Sequence, residues 1–224
     1  MRFELISFPT CPFVQRAVIV LLEKNVPHQV RYVEDLDHPP KWFIKISPRE
    51  RVPVLVVDGI SLFESQAICE FLDEVTPEPK LMPENAILRA RDRAWFAYAA
   101  EDLIFPAYEF AYAAHENSVK EAREQLEEKV NRLNSEMKNR EYLSGDGKRF
   151  GMADIAMASF LYRAAWFARH GWLDLLSAFP NIHAWAKRVL SRPSVQNSVP
   201  EDFDQRSLSS MKEQGSWILT KNKP

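Results

Sequence analysis

Two apolar runs meet at Asp58-Gly59 and constrain the fold more than any other segment. Val52-Pro53-Val54-Leu55-Val56-Val57 precedes the pair and Ile60-Ser61-Leu62-Phe63 follows it. An Asp-Gly pair supplies the positive φ values that a two-residue hairpin turn needs, so these runs are expected to pair as antiparallel strands. Upstream, residues 2–8 read as a strand stopped by Pro9. Val14, Ala17, Val18, Leu21 and Leu22 repeat at helical spacing, which predicts a helix over 13–24 with Asn25 as its C-terminal cap and Pro27 blocking continuation. Residues 28–34 are expected as a second strand. Trp42, Phe43 and Ile46 suit a short helix ended by Ser47-Pro48. After the hairpin, Ala67, Ile68, Phe71 and Leu72 share one face of a helix that starts at Ser65 and ends before Pro77. The order βαβαββα makes a small mixed sheet covered by helices.

The character of the chain changes after residue 76. Pro77, Pro79 and Pro83 mark residues 77–85 as a linker, and the remainder, 86–224, reads as helical. The first long helix is expected over 86–105, with Pro106 kinking or breaking it. Val119, Leu126, Val130, Leu133 and Met137 form one stripe over 118–138, too short for a coiled coil and read as a bundle face. Residues 152–170 and 180–192 supply two more helices. The tail from 194 is polar until Trp217-Ile218-Leu219. With 46% hydrophobic and 12% aromatic residues, both parts can build a core. The net charge of −2 gives no electrostatic reason to expect nucleic acid or an anionic membrane as partner. No run of 18 apolar residues suggests a membrane span, and the first residues do not read as a signal peptide.

The chemistry is expected at Cys11. Thr10-Cys11-Pro12-Phe13-Val14-Gln15-Arg16 lies between the first strand and the first helix. A helix N-terminus carries unpaired N–H groups and partial positive charge, which favour a thiolate, the reactive form of cysteine. Pro12 suits the first helical position. The alternative is a small buried cysteine without chemistry. Where a dithiol motif would place its second cysteine stands Val14, so Cys11 is a one-thiol site whose mixed disulfides need an outside thiol. Cys69, inside the apolar helix after the hairpin, reads as a core residue. Two cysteines make no disulfide framework, and a reducing cytosol is the expected setting. The five histidines are scattered and no metal site is expected.

These residues resemble the cytosolic glutathione transferases, and most closely their omega-like branch, which has a cysteine where other classes have Ser or Tyr. Cys11-Pro12-Phe13 with Gln15-Arg16 is similar to that branch's active-site signature. Trp42-Phe43, Val52-Pro53-Val54-Leu55 and Glu64-Ser65-Gln66-Ala67-Ile68 are similar to its glutathione-site segments. The resemblance covers nearly the whole chain. It implies an α/β thioredoxin-like N-terminal domain over 1–76 and an all-α C-terminal helical bundle over 86–224, the glutathione transferase fold. It implies glutathione as co-substrate, no metal, and a homodimer. Cys11 would attack or hold the glutathione sulfur, and Phe13 would line the mouth beside it. Val52, before a cis Pro53, would pair its backbone with the cysteinyl part of the tripeptide. Glu64 and Ser65 would bind the γ-glutamyl end, where a helix start suits a carboxylate and Glu64 an ammonium. Lys41 would contact glutathione, although Pro39 occupies the aligned position; a solvated lysine is the alternative. Arg16 is either a surface charge or a tie to the second domain. Asp154, in Gly151-Met152-Ala153-Asp154, resembles the family's structural N-capping acid, with Gly151 where Ser or Thr is common.

Aromatic residues crowd the helical part, and Tyr108 and Trp166 are expected to line a second-substrate pocket, the rest belonging to the core. The tail with Trp217 either folds over the opening or packs on the surface. Three functions follow from the resemblance. One is thiol transfer or reduction through a Cys11–glutathione mixed disulfide, such as deglutathionylation or dehydroascorbate-type reduction. The second is conventional conjugation of a small electrophile. The third is a non-catalytic, transferase-like binding protein, which the retention of Cys11, Pro53, Glu64 and Ser65 disfavours.

Overall fold

The strands expected from the apolar runs form one four-stranded sheet in a computed structural model that describes residues 1–221. β1 (Phe3–Ser7) lies beside β2 (Gln29–Tyr32) in parallel and beside β3 (Val54–Val57) in antiparallel fashion, and β4 (Ile60–Phe63) closes the order β2-β1-β3-β4. At the hairpin, Val57 pairs with Ile60 across Asp58 and Gly59, whose φ values of 47° and 90° give the left-handed turn that a two-residue connection requires. Helix α1 (Pro12–Glu23) ends as expected: Asn25 takes φ 51° and the N–H of Val26 returns to the Leu21 carbonyl. α2 (Lys41–Ile46) buries Phe43, and α3 (Ser65–Val75) buries Ile68, Cys69 and Leu72.

Residues 77–85 hold no regular element, but they are tied down. Lys24, its side chain fully buried, donates to the carbonyls of Pro77 and Pro79 and pairs with Asp73 at 2.9 Å. Asp73 in turn accepts from the N–H groups of Leu81 and Met82.

The helical part contains α4 (Ala86–Tyr98), α5 (Phe105–Tyr112), α6 (Glu116–Glu136), α7 (Met152–Arg169) and α8 (Pro180–Leu190), then the short α9 (Pro193–Gln196), α10 (Phe203–Glu213) and α11 (Ile218–Lys221). The expected stripe on α6 is buried at all five positions. Pro106 behaves differently from expectation. A wide π-helical turn over Ala99–Ile104 joins α4 to α5, and Phe105 donates to Ala100, five residues back. Proline cannot donate and its ring crowds the carbonyl four residues earlier; the wider turn removes that conflict, so the chain stays helical to Tyr112. The polar tail also holds a helix. Phe203, Ser207 and Met211 of α10 recur every four residues and are buried. Beyond it, Ser216 and Trp217 bond to the carbonyls of Ala111 and Ala113, so the tail packs along α5. Residues 222–224 lie outside the described part of the chain.

Helix α7 is the centre of the helical core and is buried at thirteen positions. Its start depends on Asp154. The carboxylate accepts from the N–H of Leu143 (2.8 Å), Ser144 (3.2 Å) and Gly151 (3.1 Å) and from the Trp185 indole (2.8 Å). Burial pushes this carboxyl up to about 6, and the four donors limit the rise. Gly151 has no cap side chain because there is no room for one. A Cβ there would stand 2.6 Å from the Leu81 carbonyl oxygen and against the Ser144 hydroxyl. Asp154→Ala is expected to cost about 3 kcal/mol or more, since it leaves buried donors unpaired. Gly151→Ala is expected to cost on the order of 1–3 kcal/mol through overpacking. Urea unfolding midpoints measure both.

Candidate active site

Cys11 sits where strand β1 hands over to helix α1. Its N–H donates to the Phe8 carbonyl and its own carbonyl accepts from Gln15, so it is the N-cap residue, in extended conformation, with Pro12 opening the helix. The residue is half-buried. Its Sγ lies 4.0 Å from the Val52 carbonyl oxygen, and the Val52-Pro53 peptide is cis.

The thiol differs from the expectation of a readily formed thiolate. Burial pushes it above its ordinary value. The expected stabilisers are present but are outweighed: the N–H groups of Val14 and Phe13, and the guanidinium groups of Arg163 and Arg16, all pull downward. Arg163, from the middle of α7, donates to the Thr10 carbonyl at 2.6 Å and to Gln15 Oε1 at 2.7 Å. It holds the peptide directly before the cysteine. Cys69 is fully buried and its thiol is pushed up to about 12, which fits its reading as a core residue.

A groove of about 530 Å³ runs past this point between the two domains. One side is lined by Val52, Pro53, Glu64, Ser65 and Gln66, the other by Phe96, Ala97, Ala100, Glu101 and Phe105. Phe13 stands at the junction, its ring 5.7 Å from that of Phe105. The structure therefore brings Phe13, Val52, Pro53, Glu64 and Ser65 together as expected. Cys11, expected in the same site, does not itself line the groove: it contacts Val52, which does, and borders a second cavity of about 210 Å³ with Arg163, Gln15 and Ser198.

Three expected site residues lie elsewhere. Lys41 is exposed on α2 and does not line the groove; Arg16, Arg49 and Arg51 do. Trp166 is only 3% exposed, packs among Phe167, Trp172 and Phe203, and donates to Asp204. It is a core residue because α7 runs through the middle of the bundle. Tyr108 stacks on Tyr112 and donates to Gln214, facing the tail helix rather than the groove. Phe105, one helical turn earlier, faces the groove. Arg16 resolves toward the interdomain tie: it is buried and donates from Nε to the Ala156 carbonyl on α7.

The chain matches two family models in order. The glutathione S-transferase N-terminal domain matches residues 10–75 and the glutathione S-transferase C-terminal domain matches residues 109–188. Glutathione S-transferase U24 of Arabidopsis thaliana is 31% identical over 199 residues, covering 88% of this chain and 89% of that protein. Glutathione S-transferase omega-1 of Sus scrofa is 27% identical over 211 residues, covering 92% and 83%. The crystal structure of rice GST1 in complex with glutathione superposes with a TM-score of 0.78 at 25% identity, over 94% of this chain and 98% of that one. With a small sheet domain, a helical domain and both family halves in sequence, the chain belongs to the glutathione S-transferase family.

Proposed function

We propose that this transferase binds glutathione in the groove and performs thiol transfer through Cys11. The observation that carries this reading is the position of a lone thiol at the start of α1, 4.0 Å from the Val52 carbonyl, with Val14 where a resolving cysteine would stand. The likeness to rice GST1 with its glutathione, and to the omega-1 protein of Sus scrofa, supports it. In the proposed reaction the Cys11 thiolate attacks the glutathionyl sulfur of a mixed disulfide. The Sγ–S bond forms as the old S–S bond breaks, and the released substrate sulfur takes a proton from water. A second glutathione thiolate then attacks the glutathionyl sulfur, which frees Cys11 and releases glutathione disulfide.

A raised thiol pKa is compatible with this chemistry. It reduces the thiolate fraction at neutral pH, but a more basic thiolate is a stronger nucleophile, so the two effects partly offset. Acceleration then comes from holding the tripeptide against the sulfur. Val52 would pair with the cysteinyl backbone, Ser65 and the start of α3 with the γ-glutamyl carboxylate, and Glu64 with its ammonium. A second reading, conjugation of an apolar electrophile, draws support from the rings of Phe13, Phe96 and Phe105 along the groove. A homodimer in a reducing cytosol is part of the proposal, and sedimentation giving a stable monomer would remove the first of these.

Cys11→Ala is expected to bring exchange with a glutathione mixed disulfide down to the uncatalysed rate while tripeptide binding persists. Full activity in that variant would sink the mechanism. Cys11→Ser separates the readings, because conjugation should survive it and disulfide exchange should not. Iodoacetamide alkylation of Cys11 in the ligand-free protein is expected to be slower at pH 7 than for free cysteine and to climb with pH, since only the thiolate reacts. Arg163→Ala removes a positive charge and is expected to move the climb to higher pH; a shift to lower pH would contradict this account of the thiol.

A further inference from the structure

The thiol and the groove meet at one backbone atom. Cys11 Sγ lies 4.0 Å from the carbonyl oxygen of Val52, and Val52 is part of the groove wall. Among the described residues, the Cys11 S–H is the one hydrogen-bond donor that reaches this oxygen. Val52 is buried and stands two residues before β3, so the strand ladder does not use its carbonyl. Buried backbone carbonyls are almost always paired, and S–H is a weak donor. The empty groove therefore keeps an acceptor that a better donor can claim.

The contact favours the protonated sulfur. A neutral thiol donates to the carbonyl, whereas a thiolate would face the negative end of the same dipole. Burial acts in the same direction, against the N–H groups of Val14 and Phe13 on α1 and the cations Arg163 on α7 and Arg16 on α1. His28 and Tyr32 face the sulfur across the smaller cavity, and Arg49, Arg51, Glu64 and Glu101 lie along the groove on the Val52 side.

We propose that the Val52 carbonyl is a latch on the thiol: it holds the Cys11 S–H while the groove is empty, and a tripeptide that offers an N–H to the same oxygen frees the sulfur as it binds. The inference rests on the glutathione reading above and adds a regulation to it, a nucleophile that ionises more readily when the groove is occupied. An amide N–H is a stronger donor than S–H, so the ligand displaces the thiol from the carbonyl. The freed thiol loses its proton to water, and the thiolate left behind keeps the two cations and the first turn of α1 in its favour. By the same means the empty site is a poor target for stray electrophiles and oxidants, since only the thiolate reacts.

Two sulfur-free ligands of equal charge test this on the full chain under a phosphine reductant. One is γ-glutamyl-alanyl-glycine; in the other, γ-glutamyl-lactyl-glycine, an ester oxygen replaces the central N–H. Calorimetry fixes saturation for each. Thiolate absorbance of the parent minus that of Cys11→Ala follows the ionisation of Cys11 with pH. The amide ligand is expected to raise the ionisation constant of Cys11 about threefold over the empty protein, the weight of one weak hydrogen bond. The ester is expected to leave it at or below the empty value. An amide ligand that binds without raising it, or an ester that raises it as far, overturns the latch and leaves the glutathione reading standing. A parent chain that binds neither γ-glutamyl-alanyl-glycine nor glutathione overturns both.

Discussion

Helix α1 is buried on two sides, and the position of the thiol depends on that. The helix sends Val14, Ala17, Ile19, Val20 and Leu21 into the core. It also carries two polar side chains, Gln15 and Arg16, against the helical domain, where they are equally buried. Buried polar groups are tolerated only with partners, and these partners come from across the interface. Gln15 donates to Ser198 and accepts from Arg163, and Arg16 donates to Ala156. At the far end of the helix, Glu23 binds Arg192 and Ser194. The start of α1 is thus clamped between domains, and Cys11 at its cap inherits that placement.

The same clamp decides the electrostatics of the sulfur. Among the described residues, Arg16 has no carboxylate partner for the charge it carries into the interface, and its Nη2 has no hydrogen-bond partner. Its guanidinium lies 4.5 Å from the centre of the Phe96 ring and 5.2 Å from that of Phe13, contacts that recover part of the desolvation cost. Burial still lowers its pKa to about 10, as it does for Arg163, and both remain cations at neutral pH. Two cations, Arg16 buried and Arg163 half-buried, therefore act on a thiol that burial otherwise keeps protonated. A helix start alone is insufficient here because the interface that supplies the cations also excludes the water that would solvate a thiolate.

This balance explains which parts of the molecule were legible in the sequence. The hairpin was legible because Asp58-Gly59 encodes its turn locally, and the α6 stripe because periodicity is a local signal. Val52, Pro53, Glu64 and Ser65 were legible because they sit next to sequence marks of a strand and a helix start. The thiol's raised pKa was not, since desolvation depends on tertiary packing that brings segments as distant as Arg163 and Ser198 around the cysteine. Trp166 and Tyr108 failed for a related reason: an aromatic residue on a helix does not announce whether its face meets a groove, a core or a tail. α10 was hidden because the tail's composition is polar, although Phe203, Ser207 and Met211 carried the spacing that could have found it. Arg49 and Arg51 flank the strand that forms the groove wall, and their closeness to Val52 was the available signal.

The groove is a shared construction, and its two walls have different physical origins. One wall is backbone-rich, formed by the peptide at Val52 and the first turn of α3, and is suited to a ligand with fixed hydrogen-bonding ends. The opposing wall is presented by the π-helical turn and its flanks, through Ala97, Ala100, Glu101 and Phe105. A π turn adds a residue to the helical circuit and re-aims the side chains beyond it. Phe105 is brought over Phe13 by this path, while Tyr108, one turn on, is carried around to the tail. Variation in that turn can therefore reshape the apolar wall without disturbing the wall formed at Val52 and the first turn of α3. The two walls therefore answer to different parts of the sequence, with Phe13 at the junction between them.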